Sequence, residues 1–400
     1  MSRPTDQPLH GITVVDLSQI YNGPYATFLL AMAGADVIKV EPKDGEHLRR
    51  RGVVGGAALP FAMLNANKRS VSLDLKTEKG KKLLIELAKK ADVLVENFAP
   101  GVMDRLGLGA DAILKVNPRL IYAQSSGYGS SGRYRDYPAM DLTVQAMAGI
   151  MSITGFPDRP PVKAGPAVCD FFAGVHLYGG IVTALLARER TGLGRTVEVA
   201  MMDSVYASLS SNLGLCYGRG WQDAPRTGNR HGGLAEAPYN VYPTRDGHIA
   251  IICVGEVHFK NLLKAMRRED LLADPRFQSL KTRVENIDAV DELVSGFTRQ
   301  FDKQELFRLL MEHRVPCAPV RTMMEVVNDP HLHERGMLQW VDHPDLGRIV
   351  VQRSPMLYNG VARVEHKASA RLGAHNAEVF GGMLEVSADE IAVLEREGVI

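Results

Sequence analysis

The stretch GITVVDLSQIYNGPYATFLLAMAGADVIKVEP, residues 11–42, decides the fold of this 400-residue chain. It begins with a short β-rich run at 11–18 and ends with a second one at 35–42. Between them lies an apolar run, residues 24–34, with proline at its start and glycine at its end, which is typical of a short helix. Two strands joined by a helix through such short connections are usually parallel neighbours in one sheet.

The same alternation continues beyond this unit. Residues 76–91 form an amphipathic helical pattern, 92–98 a third β-rich run, and 117–129 contain a fourth. Strands that alternate with helices predict an α/β fold, in which helices cover both faces of a parallel sheet. We therefore expect a large domain built on a parallel sheet, with its ligand at the carboxyl ends of the strands.

The length and a change of composition predict two domains. A chain of 400 residues exceeds what one compact core usually holds. Residues 220–247 are rich in Gly, Pro and Asn, which indicates a connection into a second unit. We predict a large domain at 1–205, a linker at 206–228, a small inserted α+β domain at 229–326, a second linker at 327–355, and a segment at 356–400 that returns to the large domain.

Charge and cysteine usage exclude several classes of protein. The chain has 47 basic and 46 acidic residues, so we expect neither a nucleic-acid partner nor an anionic membrane surface. The sequence shows no signal peptide and no apolar run of membrane-spanning length. Four dispersed cysteines without a C-x-x-C pair argue against a zinc site or disulfide framework, and they favour a cytoplasmic location.

The usual phosphate-binding loops are missing. No G-x-G-x-x-G follows the first predicted strand, and no G-x-x-x-x-G-K-[ST] occurs anywhere in the sequence. An open α/β sheet without these loops suggests a ligand other than a dinucleotide or a nucleoside triphosphate, held in a different way.

One carboxylate, Asp170, stands at the mouth of a long apolar run in GPAVCDFFAGVHLYGG, residues 165–180. The run reads as a buried helix that ends with Gly192 as its C-cap. Aspartate is a preferred N-cap residue, so this stretch alone favours a structural role for Asp170. A catalytic carboxylate is the alternative.

At this point the sequence resembles the class III CoA-transferase family, which includes formyl-CoA transferases, carnitine CoA-transferases and α-methylacyl-CoA racemases. The resemblance runs over nearly the whole chain, in the family's order, so chance similarity of a single motif does not explain it. The motifs are VVDLSQIYNGPYAT, GADVIKVEP, NANKRSVSLDLK, DVLVENFAPGVMDRLGLG, NPRLIYAQSSGYG, DLTVQAMAG, AVCDFFAGVHL, GRTVEVAMMDS, VPCAPV and DPHLHERGML.

The resemblance implies an architecture and a reaction. It implies a homodimer of two interlocked rings, with CoA on the Rossmann-like sheet. It also implies that Asp170 is the nucleophile, which passes through an aspartyl mixed anhydride and an aspartyl-CoA thioester. CoA arrives as part of the substrate, and we expect no metal and no organic cofactor.

Further site residues are carried over from the resemblance position by position. Asp141 is interpreted as a supporting residue near Asp170, and the pair Gly232 and Gly233 as part of a loop over the site. The predicted CoA contacts are Tyr21, Asn22, Leu73, Lys76, Asn97, Phe98, Arg105 and Met140.

Several residues of this sequence differ from the family pattern, and these differences favour some of the family's activities over others. Met140 stands where the racemases have a histidine, and His176 on the following helix reads as a packed core residue. Tyr21, Pro42 and Pro138 replace residues typical of the formyl-CoA branch, which weighs against formyl-CoA and oxalate. We predict a CoA-transferase acting between an acyl-CoA and a small carboxylic acid, with a dicarboxylate as one partner. An acyl-CoA racemase or isomerase and an inactive CoA-binding protein are the alternatives.

Overall fold

The computed structural model describes residues 6–51, 56 and 58–400. The chain forms two compact units. The first unit comprises Met1–Val144, Pro166–Val205 and Asp329–Ile400, and the second comprises Gln145–Gly165 and Tyr206–Asn328. The predicted small domain, 229–326, falls within the second unit.

A six-stranded parallel sheet forms the centre of the first unit. This finding confirms the predicted α/β class with a parallel sheet. The spatial order is β3-β2-β1-β4-β5-β6, so the direction of winding reverses between β1 and β4. The strands are β1 (Thr13–Asp16), β2 (Asp36–Glu41), β3 (Lys68–Ser72), β4 (Val93–Glu96), β5 (Ile121–Ser126) and β6 (Arg195–Ala200).

Two of these strands, β3 and β6, were not among those that the sequence predicted. Both are edge strands, and neither has the continuous apolar run of a central parallel strand. Strand β3 reads KRSVS although it is almost fully buried, and β6 is mostly exposed along its length.

Helices cover both faces of the parallel sheet, as the alternation predicted. On one face, Leu30 of α1 and Leu177 of α9 share a core with Val14. On the other face, Leu84 of α4 and Leu394 of α18 pack in a second core. The helices are α1 (Asn22–Met32), α2 (His47–Arg51), α3 (Ala58–Leu64), α4 (Glu78–Lys90), α5 (Val102–Arg105), α6 (Ala110–Val116), α7 (Asp141–Met147), α8 (Ile150–Ile153), α9 (Val168–Thr191), α10 (Met201–Tyr206), α11 (Ser210–Gly218), α12 (Glu256–Ala265), α13 (Leu280–Glu285), α14 (Ile287–Thr298), α15 (Lys303–Glu312), α16 (Met323–Val327), α17 (Pro330–Glu334) and α18 (Ala388–Arg396).

The second unit has its own core and its own antiparallel sheet. The sheet comprises β7 (Tyr239–Pro243), β8 (His248–Ile252) and β9 (Cys317–Pro319). Phe259, Leu262 and Leu306 from its helices form the centre of this core. A separate hairpin of β10 (Leu338–His343) and β11 (Gly347–Gln352) belongs to the first unit.

The two segments predicted as linkers carry regular structure. Residues 206–228 contain α11, and residues 327–355 contain α17 and the hairpin of β10 and β11. Glycine, proline and asparagine mark turns in these segments, but the apolar residues between the turns form short elements. At the C-terminus, Ser387 caps α18 by accepting a hydrogen bond from the Glu390 amide, as the S-x-x-E pattern predicted.

Helix α9 carries the residue on which the sequence analysis focused. It begins at Val168, with Ala167 as its N-cap residue, and it ends at Gly192 in the left-handed conformation predicted for a C-cap. The sequence suggested Asp170 as the N-cap, but in the structure Asp170 is the third residue of the first turn. Of the helices in the described ranges, only this one is long and apolar enough to cross a membrane, and 44% of its most apolar window is buried within the protein.

Candidate active site

Asp170 lies where α9 passes close to α1. The Asp170 side chain is only 9% exposed. One turn later, a Cβ atom on Gly174 would lie 2.7 Å from the carbonyl oxygen of Asn22, so the two helices approach closely only because residue 174 is glycine. Ala173 and Gly174 keep the helix surface next to Asp170 free of bulky side chains.

The first turn of α9 is capped by another helix. Asp141, the first residue of α7, accepts hydrogen bonds through Oδ1 from the Cys169 amide at 2.9 Å and the Asp170 amide at 3.3 Å. The sequence suggested Asp170 as the cap of this helix, but Asp141 has that role in the structure. The Asp170 carboxylate is not committed to a cap, since no hydrogen bond from the described residues reaches it.

Burial raises the pKa of Asp170 to about 7, and the negative charge of Asp141 adds to this effect. A carboxyl group with a pKa near 7 exists in both protonation states around neutral pH, and such groups concentrate at functional sites. In the described part of the chain, no group of three or more His, Cys, Asp or Glu side chains is arranged to hold a metal ion. Asp170 is thus suited to nucleophilic or proton-transfer chemistry.

Tyr21 and Asn22, both predicted CoA contacts, lie at the start of α1, where this helix approaches α9. The Tyr21 ring stacks on Phe171 with 5.9 Å between centroids. Asn22 is almost fully buried and donates from Nδ2 to the Ser125 hydroxyl at 2.9 Å, while its Oδ1 has no partner within the described residues. A buried acceptor without a partner is available to a ligand that carries a donor.

The turn that leads from β1 to Tyr21 is held by side chains from three directions. Asp16 accepts from the Ser18 amide at 2.9 Å, and Glu46 accepts from the Ile20 amide at 3.2 Å. Asn97 makes two 2.9 Å hydrogen bonds with the backbone of Gln19. Ile20 is thereby held at φ 67°, which β-branched residues rarely adopt, and such strain persists only where the surroundings impose it.

A cavity of about 360 Å³ opens at the carboxyl ends of the strands next to this turn. Leu73, Phe98, Lys76 and Arg105 line the cavity, so the fold brings these four predicted CoA contacts together. Its position at the reversal of strand order is where open α/β sheets bind ligands. Apolar walls with cationic groups at the edge suit a ligand with a flat apolar part and phosphates.

The remaining predicted residues lie elsewhere. Asn97 is occupied by the backbone of Gln19, so in this structure it positions the turn. Met140 is exposed and directly precedes Asp141. Gly232 and Gly233 belong to the second unit, in a turn where the Gly233 amide donates to His231.

His176 is not the packed core residue that the sequence suggested. It is exposed on α9, and its Nδ1 lies 2.8 Å from the carbonyl oxygen of Phe172. The apolar period of α9 places Leu177, rather than His176, in the core beneath the helix.

A buried charged network behind the turn was missed by sequence reasoning. Lys68 Nζ donates to Asp16 at 3.0 Å and to Thr27 at 2.8 Å, and Lys39 Nζ lies 3.9 Å from the same Asp16 oxygen. All three charged groups are almost completely buried. The NKR triplet at residues 67–69 was a signal in the sequence, but spacing alone does not reveal which of its cations points inward.

A second cavity, of about 220 Å³, shares Phe98 with the first. Glu96, Tyr122 and Arg135 are among its lining residues. Burial raises the pKa of Glu96 to about 7, a hydrogen bond from the Phe98 amide opposes this rise, and the charge of Asp104 adds to it. Sequence analysis did not single out Arg135, because most exposed arginines are simply solvated.

The sequence is similar to those of known proteins over nearly its whole length. The sequence model of CoA-transferase family III matches residues 9–376. A formyl-CoA:oxalate CoA-transferase of Streptomyces avermitilis is 36% identical over 407 residues, covering 98% of this chain and 99% of that protein. A succinyl-CoA–D-citramalate CoA-transferase of Chloroflexus aurantiacus is 35% identical, covering 98% of each.

The fold is also found among solved structures. The crystal structure of a CaiB/BaiF family protein from Brucella suis matches with a TM-score of 0.83 at 33% identity, covering 94% of this chain and 99% of that one. Sequence and fold are therefore shared with these proteins over almost their whole length.

Proposed function

The chain belongs to CoA-transferase family III and is a CoA-transferase, and from this premise we propose that Asp170 is its covalent nucleophile. The observation that carries the proposal is a buried carboxylate in the first turn of α9, with its neighbouring amides already capped by Asp141. A side chain needed only as a cap would itself accept those amide hydrogen bonds.

In the proposed reaction an Asp170 oxygen attacks the carbonyl carbon of the donor thioester. The C–S bond breaks, the CoA thiolate leaves, and an aspartyl mixed anhydride remains. The thiolate then attacks the aspartyl carbonyl, which releases the donor acid and forms an aspartyl-CoA thioester. The acceptor carboxylate attacks that thioester, and the thiolate, released once more, attacks the acceptor's acyl carbon to form the new CoA thioester and restore Asp170.

Two features of the site support these steps. The small residues Ala173 and Gly174 leave room for the thioester, and a helix N-terminus favours the ionised carboxylate that must attack. The amides of Cys169 and Asp170 donate to Asp141, so these two amides are not free to stabilise a developing oxyanion. The buried, unpartnered acceptor of Asn22 offers a contact for the substrate instead.

We propose a small dicarboxylate as the acceptor. The relatives named above act on oxalate and on D-citramalate, both dicarboxylates. The Tyr21 ring stacks on Phe171, the neighbour of Asp170 in the chain, and an apolar aromatic surface there favours an acid with a carbon chain over oxalate.

Mass spectrometry tests this function directly. The pure protein is mixed with succinyl-CoA or acetyl-CoA and with oxalate, succinate, D-citramalate, mesaconate and glutarate, and Asp170→Ala serves as control. We expect new CoA thioesters of a dicarboxylate from the wild type only. With an ¹⁸O-labelled acceptor and a single turnover, one heavy oxygen should appear on the peptide that contains Asp170, since the bridging oxygen of the second anhydride stays on the aspartate. Labelled product without labelled Asp170 would reject the covalent route.

We also propose that the chain acts as an interlocked homodimer. Along α9, Phe172, Val175 and Leu186 are 42%, 49% and 63% exposed, so an otherwise apolar helix leaves one side uncovered. A second copy would bury this side, and a mass in solution of twice 43.8 kDa is the expected result. A monomer at micromolar concentration would reject the dimer.

The proposed setting is the cytoplasm, because all four cysteines are free thiols. The proposed reaction requires no metal and no resident organic cofactor, since CoA arrives with the donor. It also involves no nucleic acid and no membrane.

The pH dependence of turnover should report on Asp141. Ionised Asp170 is the attacking form, so activity is expected to rise with pH through an apparent pKa near 7. Burial is the larger cause of that value and the charge of Asp141 the smaller, so Asp141→Asn should move the acid limb to lower pH by about one unit. The asparagine retains an oxygen that can accept from the two amides, which separates the effect of charge from that of capping.

The measurement is kcat/KM for CoA transfer between pH 5 and 9. An unshifted acid limb in Asp141→Asn, together with an unchanged thermal midpoint, would contradict electrostatic coupling between the two carboxylates.

A further inference from the structure

A small cavity lies beside the irregular segment that follows β11 in the first unit. It measures about 20 Å³, and both Arg353 and Arg363 line it, with Met32 and Met356 among its apolar walls. No Asp or Glu of the described residues is part of this lining. The cavity therefore combines two cationic side chains with walls that carry no negative charge.

Both guanidinium groups donate to backbone carbonyl oxygens. Arg363 donates from Nη1 to Ser354 at 2.9 Å and from Nη2 to Arg335 at 3.1 Å. Arg353 donates from Nη2 to the carbonyl oxygen of Val364. These hydrogen bonds join three stretches of chain, but a carbonyl acceptor does not neutralise the charge of its donor.

Two nitrogen atoms in this part of the molecule are buried without a hydrogen-bond partner among the described residues. They are Nε of Arg353 and Nε2 of His366. An arginine Nε always carries a proton, so Arg353 presents a buried donor that no described residue accepts. In native proteins, such a donor is usually satisfied by a water molecule or an ion.

The charges around this donor favour an anion over water. Burial, and then the charge of Arg363, lowers the pKa of Arg353. Burial also lowers the pKa of His366, and the charges of Arg353 and His343 add to that effect. Both groups thus lie in a positive potential, which an anion would offset and a neutral water molecule would not.

The size of the cavity limits which anion can enter. A volume of about 20 Å³ holds little more than one water-sized particle, so a phosphate or a carboxylic acid is too large. We propose that this cavity binds one chloride ion, which accepts from Arg353 Nε and lies between the guanidinium groups of Arg353 and Arg363. Guanidinium is weakly hydrated and therefore suits such an ion. The site is independent of CoA transfer, and its role is to stabilise the chain segments that the two arginines join.

Thermal unfolding of the full-length protein tests this site. Sodium chloride is replaced stepwise by sodium gluconate, whose anion is too large for the cavity, at a constant ionic strength of about 0.3 M so that screening does not change. We expect chloride to raise the unfolding midpoint of the wild type by about 3 °C, which corresponds to a dissociation constant of a few millimolar.

The variant Arg353→Gln should lose this dependence on chloride, besides having a lower midpoint because its bond to Val364 is lost. Arg348→Gln is the matched control, since Arg348 is an exposed arginine of the same hairpin and lies over the Trp340 ring. It should keep the full effect of chloride. A wild-type midpoint that is equal in both salts, or an equal effect of chloride on Arg353→Gln, would overturn the proposal.

Diffraction from wild-type crystals soaked in sodium bromide gives an answer that depends on no variant. Bromide replaces chloride and is identified by its anomalous scattering. The expected result is an anomalous peak between the guanidinium groups of Arg353 and Arg363. Bromide bound only at other places, or a water molecule at this one, would reject the chloride site.

Discussion

Replacement of Asp170 by asparagine is expected to lower the turnover of CoA transfer by about ten-thousandfold, because an uncharged amide cannot attack the thioester. The change is nearly isosteric, and the hydrogen bonds from the first turn of α9 go to Asp141 rather than to Asp170. Helix and site should therefore remain intact. CoA affinity should stay close to that of the wild type, since the cavity lined by the predicted CoA contacts Lys76 and Arg105 is not lined by Asp170.

The stability of the Asp170→Asn variant distinguishes loss of the nucleophile from misfolding of the protein. Raising the carboxyl pKa from its ordinary 3.8 to about 7 costs the ionised form about 4 kcal/mol. For a group whose folded pKa is raised, the associated stability is fully present below pH 4 and is lost as pH rises through about 7. Asparagine does not ionise, so Asp170→Asn should be more stable than the wild type at pH 8, and this advantage should be clearly smaller at pH 5.

Asp389→Asn is the matched control for both measurements. Asp389 also lies in the first turn of a helix, α18, but it is exposed. Its replacement should change neither turnover nor the pH dependence of unfolding. Substantial activity in Asp170→Asn would mean that another residue forms the acyl intermediate. Lower stability of that variant at pH 8 would mean that Asp170 is a structural carboxylate.

The sequence predicted the central strands and their parallel arrangement because their signals are local. Proline before and glycine after the run at 24–34 mark a helix between two β-rich runs, and the structure has α1 between β1 and β2. The strand β3 has no such signal, since Lys68 and Ser70 are polar and yet buried. Burial of a lysine depends on a partner distant in sequence, and local periodicity cannot show it.

In the candidate site, too, features with a local sequence signal were predicted and those that depend on tertiary contacts were not. Four of the predicted CoA contacts, Leu73, Lys76, Phe98 and Arg105, line one cavity, as expected for residues that follow parallel strands. The capping of α9 was assigned to Asp170, whereas the acceptor is Asp141, 29 residues earlier. Capping of one helix by a residue of another helix depends on tertiary structure. Reasoning from the sequence therefore chose the carboxylate at the start of the helix itself.

The buried charged network around Asp16 supports the turn that leads from β1 to Tyr21. Burial alone would raise the pKa of Asp16, but Lys39 and Lys68, with hydrogen bonds from Ser18 and Thr27, hold it well below its usual range. Lys39 also donates to the carbonyl oxygen of Ser18. The network therefore holds the backbone that leads to Ile20 and Tyr21 and borders the cavity lined by Lys76 and Arg105.

Asp16→Asn is accordingly expected to lower the free energy of unfolding by about 3–5 kcal/mol at pH 7, because it removes the nearest counter-charge of two buried lysines. Asp36→Asn is the control, since Asp36 pairs with Arg69 at the surface and is 48% exposed. Its removal should cost less than about 1 kcal/mol. Urea unfolding measures both, and similar losses for the two variants would contradict a dominant buried network.

The pH dependence of unfolding tests whether the buried charges cause the stability loss of the Asp16→Asn variant. Burial already lowers the pKa of Lys68 to about 8, and the attraction of Asp16 opposes that fall. Without Asp16 the pKa should fall further, so Lys68 would lose its proton on folding near neutral pH. A base with a depressed folded pKa favours folding as pH rises, hence the penalty of Asp16→Asn should shrink between pH 7 and 9. A penalty independent of pH would instead indicate lost packing and hydrogen bonding, with the buried charges contributing little.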